Sequence, residues 1–429
     1  MDGRGGDTIA AHSSGRPPAA IAIIRVSGPA AHAVGIALGG ELPVPRQAGL
    51  RSLRHPVSGD PLDSALVLRF DAPHSATGED IVEFQVHGGR AVVAAVLGAV
   101  TSCRHVRLAE PGEFTRRALG NGRIDLTEAE GLADLLEAET ESQRRAALAL
   151  AGGALSRQIE TWQAEVLTMS AQAEAAIDYV GDEDETAIDL DALVCGAATL
   201  AEDLRAWLAR PRIETLKDGV RIVIAGPPNA GKSSLINALV GFDRAIVTPI
   251  AGTTRDSIEV PLAVSGVPMT LVDTAGLRET NDPVEAAGVE RARAEAQAAE
   301  ILLWLGDPAD PPAHAHLVRI HPKSDLAGPA SPVDLVISVK TGEGLPELVR
   351  LLSQAAENLL PRDGSGPSLN ARQAQLIEQA ERQLRALPSD VVLIAETFRA
   401  VRMAFDRLTG RAGVEDAIDL LFARFCLGK

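Results

Sequence analysis

The 429 residues carry 41 Lys/Arg against 58 Asp/Glu, a formal net charge of −17, with 46% hydrophobic but only 3% aromatic residues. This describes an ordinary soluble globular chain of about two to four domains whose cores rest on Ala, Leu, Val and Ile. A disulfide-stapled secreted scaffold is excluded, because Cys103, Cys195 and Cys426 lie far apart, with neither disulfide nor zinc-ligand spacing. The chain shows no signal-like apolar segment and no apolar run of about 18 residues, so a cytoplasmic protein with no membrane partner is expected.

Residues 7–28, "DTIAAHSSGRPPAAIAIIRVSG", read as two short strands around a Gly/Pro turn. "ALVLRF" (65–70) and "DIVEFQV" (80–86) read as further strands, and "RAVVAAVLGAV" (90–100) as a helix after Gly88 and Gly89. The first 120 residues are therefore expected to form an α+β domain. From residue 121 the period turns helical, with an apolar stripe of Leu126, Ala129, Leu132, Ala133, Leu135 and Leu136. Thr127 and Glu130 have capping-box spacing. Residues 121–216 hold 7 Lys/Arg against 20 Asp/Glu, and so acidic a segment repels phosphate backbones. If RNA is a substrate, it approaches another face or is held by a partner. A βα alternation runs over 217–360. After the Pro/Gly-rich linker "PRDGSGPS", helices resume within 361–429. An α/β domain thus interrupts a helical one.

The strongest motif is "RIVIAGPPNAGKSSLIN" (221–237). Gly226-x-x-x-x-Gly231-Lys232-Ser233 follows a β-rich run and precedes an apolar-periodic stretch, the context a phosphate loop requires. Its glycines let backbone N–H groups close on phosphate oxygens, Lys232 brings positive charge to the β- and γ-phosphates, and the Ser233 hydroxyl suits Mg²⁺. In "TLVDTAG" (270–276), Asp273 can reach Mg²⁺ through water and the Gly276 N–H can sense the γ-phosphate. Between them "TPIAGTTRD" (248–256) reads as a switch segment in which Thr254 completes the Mg²⁺ shell. Lys323-x-Asp325 and Ser338-Val339-Lys340 favour guanine, since one carboxylate can accept both N1–H and N2–H₂ of that base. Pro322 stands where a guanine loop usually has asparagine, and a neutral contact to the base is lost with it. The stretch between Glu300 and Lys323 is short and Pro-rich, which predicts a trimmed sheet edge.

With "GPPNAGKSSLIN", "AGTTRD" and "DTAGLRE" in place, the chain resembles the MnmE (TrmE) family of tRNA-modification GTPases. The likeness runs over essentially the whole chain, through "GDTIAA", "RVSGPAA", "TGEDIVEFQVHGG" and "RLAEPGEFTRRALGNGRIDLTEAEGLADLL". It ends in "FCLGK", close to the family's Cys-Ile-Gly-Lys terminus. The resemblance implies a multidomain α/β protein. Residues 1–120 would form a folate-binding, dimerising α+β domain. Residues 121–216 and 361–429 would form a helical domain split by a Ras-like P-loop GTPase, with a mostly parallel sheet, at 217–360. It also implies K⁺-stimulated, Mg²⁺-dependent GTP hydrolysis in a homodimer that joins the FAD- and NADH-using subunit MnmG (GidA) as a heterotetramer. That assembly places an aminomethyl or carboxymethylaminomethyl group on C5 of the wobble uridine of certain tRNAs, and it uses 5-formyltetrahydrofolate or another reduced one-carbon folate.

The same resemblance assigns residues. GTP would meet Asn229, Ala230, Gly231, Lys232, Ser233 and Ser234 in the phosphate loop. In the switch it would meet Thr248, Pro249, Ile250, Ala251, Gly252, Thr253 and Thr254, and beyond that Asp273, Thr274, Ala275 and Gly276. Lys323, Asp325, Ser338, Val339 and Lys340 would meet the base. K⁺ would be held by Asn229 with backbone oxygens of Thr248, Ile250 and Thr253, and Mg²⁺ by Ser233 and Thr254. Glu285 would orient the attacking water, acting with Lys232 and Thr254, although by itself it reads as a solvated helix-start carboxylate. Arg25, Glu83, Arg123 and Lys429 would hold the folate, where each alone reads as a surface charge. Cys426 matches a family cysteine with a suspected chemical role, against the alternative of a small buried hydrophobe. His87 reads as a turn or core histidine. Two other readings share the phosphate loop: a ribosome-assembly GTPase, which would need an RNA-binding appendage absent from this sequence, and a non-catalytic nucleotide-dependent scaffold.

Overall fold

The computed structural model describes residues 6–138, 140–178, 190–210, 213, 219–227, 229–241, 245–247, 258–264, 267–273, 295–297, 299–329, 331–359, 368–412, 415–422, 425 and 428. The chain divides into two compact units, one of residues 1–133, 155–160 and 405–429, the other of residues 134–154 and 161–404.

The first unit is built on a six-stranded sheet of β1 (Thr8–His12), β2 (Ile21–Ser27), β3 (Gly49–Arg54), β4 (Pro61–Phe70), β5 (Ile81–His87) and β6 (Val106–Leu108), in the order β3-β4-β5-β2-β1-β6. Every pairing is antiparallel except β1 with β6. Strand alternation decides the packing. Ala22, Ile24 and Val26 of β2 and Val82, Phe84 and Val86 of β5 share one core with α1 (Ala31–Gly39) and α2 (Arg90–Thr101). Ile9 and Ala11 of β1 turn the other way and meet Ala109 and Phe114, the latter on α3 (Glu113–Gly120). Leu126, Ala129 and Ala133 of α4 (Leu126–Glu137) then bury against Leu421 and Phe422 of α12 (Glu415–Phe422) and against Phe425. Leu136, expected in the same stripe, is exposed.

The cap of α4 differs from the expected Thr127–Glu130 pair. Asp125 Oδ1 accepts from Glu128 N (2.9 Å) and Glu128 Oε2 accepts from Asp125 N (2.8 Å), so the box lies two residues earlier. Thr127 is fully buried and donates its hydroxyl to Asp125 Oδ1.

The second unit contains α5 (Glu141–Ala151), most of α6 (Ala154–Asp178), α7 (Leu190–Leu208), α10 (Ala371–Arg385) and most of α11 (Val391–Thr409). Trp162, buried, donates from Nε1 to Asp203 Oδ2 at 2.6 Å and meets Trp207 edge-on at 5.6 Å. The α/β part has a seven-stranded sheet of β7 (Val220–Ala225), β8 (Ala245–Val247), β9 (Ile258–Val264), β10 (Val267–Asp273), β11 (Ile301–Trp304), β12 (Leu317–His321) and β13 (Leu335–Val336). Its order is β13-β12-β11-β7-β10-β9-β8. The five strands from β13 to β10 run parallel, and β9 and β8 follow as antiparallel neighbours. Ile222 and Ile224 of β7 pack with Leu235, Ile236 and Leu239 of α8 (Lys232–Val240) and with Leu348 and Leu352 of α9 (Leu345–Leu359). The sheet edge expected to be trimmed keeps β12 and the two-residue β13, while residues 305–316 pass from β11 to β12 with no helix. Among the described residues, no helix is long and apolar enough to cross a membrane.

Candidate functional site

The phosphate loop leaves the C-terminal end of β7, between β10 and β11, where parallel α/β sheets open their crevice. Gly231 takes φ +100° as the residue before α8, and no side chain caps that helix. A helix start without a side-chain cap suits an anion, because the helix itself cannot satisfy its first N–H groups. Lys232 is buried, and its Nζ donates to Gly226 O (2.8 Å) and Pro227 O (2.9 Å), which holds the ammonium inside the loop. Ser233 and Ser234 follow as exposed residues, while Ala230 is half-buried and Asn229 sits at φ +60°. Asp273 is the last residue of β10 and pairs with Ile224 of β7, so its backbone lies beside the start of the loop. A buried ammonium and an uncapped helix start fit an anionic phosphate chain.

The two segments expected to meet the base come together beside this loop. Lys323 takes φ +59°, and its Nζ donates to Asn229 O at 2.8 Å, tying residues 94 apart. Ser338, fully buried, donates from Oγ to Asp325 Oδ1 at 2.7 Å, while Asp325 itself is exposed. Val339 and Lys340 lie exposed in the turn that follows. Pro322 is half-buried at the end of β12. The sequence reading missed Ser324 and Glu343, whose side chains also join the two loops, because nothing in either segment alone announces the pairing.

In the first unit Arg25 and Glu83 lie directly opposite on β2 and β5, with Arg25 Nε donating to Glu83 Oε1 at 2.8 Å. Arg123 is exposed and its stem lies against Gly78, where an added Cβ would stand 3.1 Å from Cγ. Among the described residues no hydrogen bond or ion pair joins Arg123 to the Arg25–Glu83 pair. Gly428 is buried at φ +94°, and an added Cβ there would stand 2.4 Å from His12 O, so this residue lies against the end of β1. His87 is neither in a turn nor in the core. It ends β5, exposed, with Nδ1 2.7 Å from Asp63 Oδ1.

Nearby lies a charged network with no signature in the sequence. Arg107 contacts Glu113 through two nitrogens (2.8 and 2.5 Å) and Asp7 through Nε (2.6 Å). Arg117 bridges Asp7, Glu113 and Glu79, and Ser27 donates to Glu79. Burial works to raise the Glu113 carboxyl. Hydrogen bonds from Arg107, the Glu110 N–H and Arg117 outweigh it and hold the carboxyl at about 2, against an ordinary 4.5. Elsewhere in this unit His32, Asp71 and Asp80 bring ligand atoms within 4.8 Å of one another. Arg69 already engages both Asp71 oxygens, at 2.7 and 3.2 Å, and the group reads as charge pairing.

Thr248, Pro249, Ile250, Ala251, Gly252, Thr253, Thr254, Thr274, Ala275, Gly276, Glu285, Cys426 and Lys429 lie outside the described residues, as does the side chain of Asp273.

Residues 8–123 match the family model for the N-terminus of GTP-binding protein TrmE, and residues 126–426 match the model for the MnmE helical domain. A tRNA modification GTPase MnmE from Erythrobacter litoralis is 51% identical over 426 residues, covering 99% of this chain and 100% of the relative. Its counterpart from Rhizorhabdus wittichii is also 51% identical, over 429 residues, covering 99% and 97%. Among solved structures, a variant of Aquifex aeolicus Era bound to GDP and aluminium fluoride matches at 25% identity over 41% of this chain and 69% of that one. Its TM-score of 0.26 is too low to carry weight.

Proposed function

The chain belongs to the MnmE family of tRNA modification GTPases, and from that premise we propose how this GTP hydrolase works. It turns over GTP with K⁺ stimulation and acts as a homodimer with the FAD-dependent subunit MnmG on C5 of the wobble uridine of tRNA, in the cytoplasm. Residues 1–120 form the folate-binding and dimerisation domain, 217–360 the GTPase, and 121–216 with 361–429 the split helical domain. The observation that supports this most is the convergence of Lys232, Lys323 and Asp325 on one loop cluster: Lys232 inside the phosphate loop, Lys323 strapped to it, and Asp325 presenting a carboxylate beside it.

In this reading Lys232 offsets charge on the β- and γ-phosphates, the N–H groups at the start of α8 cradle their oxygens, and Asp325 reads the guanine edge. Mg²⁺ at Ser233 and Thr254, and K⁺ at Asn229 with Thr248, Ile250 and Thr253, would add positive charge against the phosphates. Glu285 orients the attacking water. Arg25, Glu83, Arg123 and Lys429 hold a reduced one-carbon folate, 5-formyltetrahydrofolate being the probe of choice, and Cys426, in the last helical segment, has a chemical role against the alternative of a small buried hydrophobe.

GTP hydrolysis measured in K⁺ and then in Na⁺ tests the catalytic part, with turnover expected to fall steeply in Na⁺. Equal turnover in both cations refutes the K⁺ site. Mass spectrometry of wobble nucleosides from a deletion strain tests the substrate, and an unchanged C5-modified uridine pool refutes it.

A further inference from the structure

Pro322 has no side-chain donor, so any reading of the base edge by the 322–325 loop falls to the Asp325 carboxylate alone. How that carboxylate is aimed then matters more than in a loop with two contacts, and the structure surrounds it with a closed ring of hydrogen bonds. Ser338 Oγ donates to Asp325 Oδ1 at 2.7 Å. Ser338 N donates to Glu343 O at 3.0 Å. Glu343 Oε2 accepts from Ser324 Oγ at 2.8 Å, and Ser324 is the residue before Asp325. Ser324 N also donates to Ile337 O at 3.0 Å, which fixes the same residue from its backbone. Glu343 stands between Gly342 (φ +82°) and Gly344 (φ +73°), and a Cβ on Gly344 would fall 2.2 Å from Val336 O. The Gly-Glu-Gly turn is therefore pressed against the strand end and cannot drift away from Ser324.

We propose that Ser324 and Glu343 are positioning residues for guanine selectivity, which lock the two base-reading loops together and orient Asp325 where Pro322 leaves it without an asparagine neighbour. This rests on the reading of residues 322–325 and 338–340 as the guanine site. The hydroxyl-to-carboxylate bond is charge-assisted but solvent-accessible, and its loss is expected to weaken GTP binding about three- to tenfold.

The test compares binding of GTP and of inosine triphosphate, which keeps N1–H but lacks the exocyclic amine, in the full chain. Ser324→Ala and Glu343→Ala are each expected to lower GTP affinity more than inosine triphosphate affinity, to raise KM for GTP and to leave saturating turnover unchanged. The double variant is expected to lose no more than either single one, since both remove the same bond. Ser324→Thr, which keeps the hydroxyl, retains the wild-type ratio. A GTP-to-inosine-triphosphate ratio unchanged in Ser324→Ala overturns the clasp, as does full additivity in the double variant. Asp325→Asn serves as the separate control. A swap from GTP to xanthosine triphosphate upholds the base-reading site whatever Ser324 does, and no swap removes the site itself.

Discussion

Glu113→Gln is expected to loosen the first unit while sparing the second. The carboxyl is held at about 2 against 4.5, a difference of about 2.5 units. At about 1.36 kcal/mol per unit this amounts to at most about 3.4 kcal/mol of stabilisation, and about 2 kcal/mol once screening by nearby solvent is allowed for. Because the folded value lies below the unfolded one, the contribution is fully present above about pH 4.5. It declines as pH falls toward about 2, with more than half gone by about pH 3. Amide hydrogen exchange read by mass spectrometry separates the units, since peptides covering Thr8–His12 and Val106–Leu108 report on the first. Trp162, Trp207 and Trp304 all lie in the second, and their fluorescence serves as an internal control. At pH 7 the first-unit peptides are expected to exchange about thirtyfold faster in the variant, and the gap between variant and wild type to narrow toward pH 3. Equal exchange at pH 7, or a gap that does not change with pH, refutes the account of the network.

Glu285→Ala is expected to keep GTP affinity within about twofold and to lose most turnover, as single-turnover kinetics would show, because its assigned role exists only in the chemical step. Arg25→Ala is expected to weaken 5-formyltetrahydrofolate binding in calorimetry while GTP turnover stays at the wild-type level, since Arg25 lies on a strand of the first unit. Asp125→Ala is expected to destabilise α4 by about 1 kcal/mol through loss of its cap. Thermal melts with the first-unit exchange probes check this, and an unchanged melt refutes the assignment of the cap to Asp125.

The phosphate loop is legible in the sequence because its chemistry is contiguous: two glycines, a lysine and a hydroxyl at fixed spacing leave the backbone little choice. The links that complete the site are not contiguous. Lys323 meets Asn229 across 94 residues and Ser324 meets Glu343 across 19, so only the folded sheet brings them together. In the first unit α1 escaped notice for a related reason. "AHAVGIALG" has no capping side chain at its start, and its mid-helix glycine reads as a breaker. Gly35 is there for packing, since a Cβ would stand 2.7 Å from Leu42. The three-residue β6 is too short to show any period. The cap of α4 was misplaced because Asp125 and Thr127 both have a glutamate three residues on. What decides between them is burial: the Thr127 hydroxyl is enclosed between Asp125 and Ser156.

The seat of Phe422 and Phe425 has a consequence for how the chain is made. Leu126, Ala129 and Ala133 leave the ribosome early, and residues 134–404 follow before the two phenylalanines that cover them exist. Gly112 waits as well, because its bare Cα is what lets Phe422 approach, to 2.9 Å from where a Cβ would be. The unit begun first is therefore finished last, after the whole α/β sheet has had time to form. A nascent chain halted short of residue 415 would display an uncovered apolar seat, and it is at this stage of synthesis that the protein most needs shielding from its neighbours.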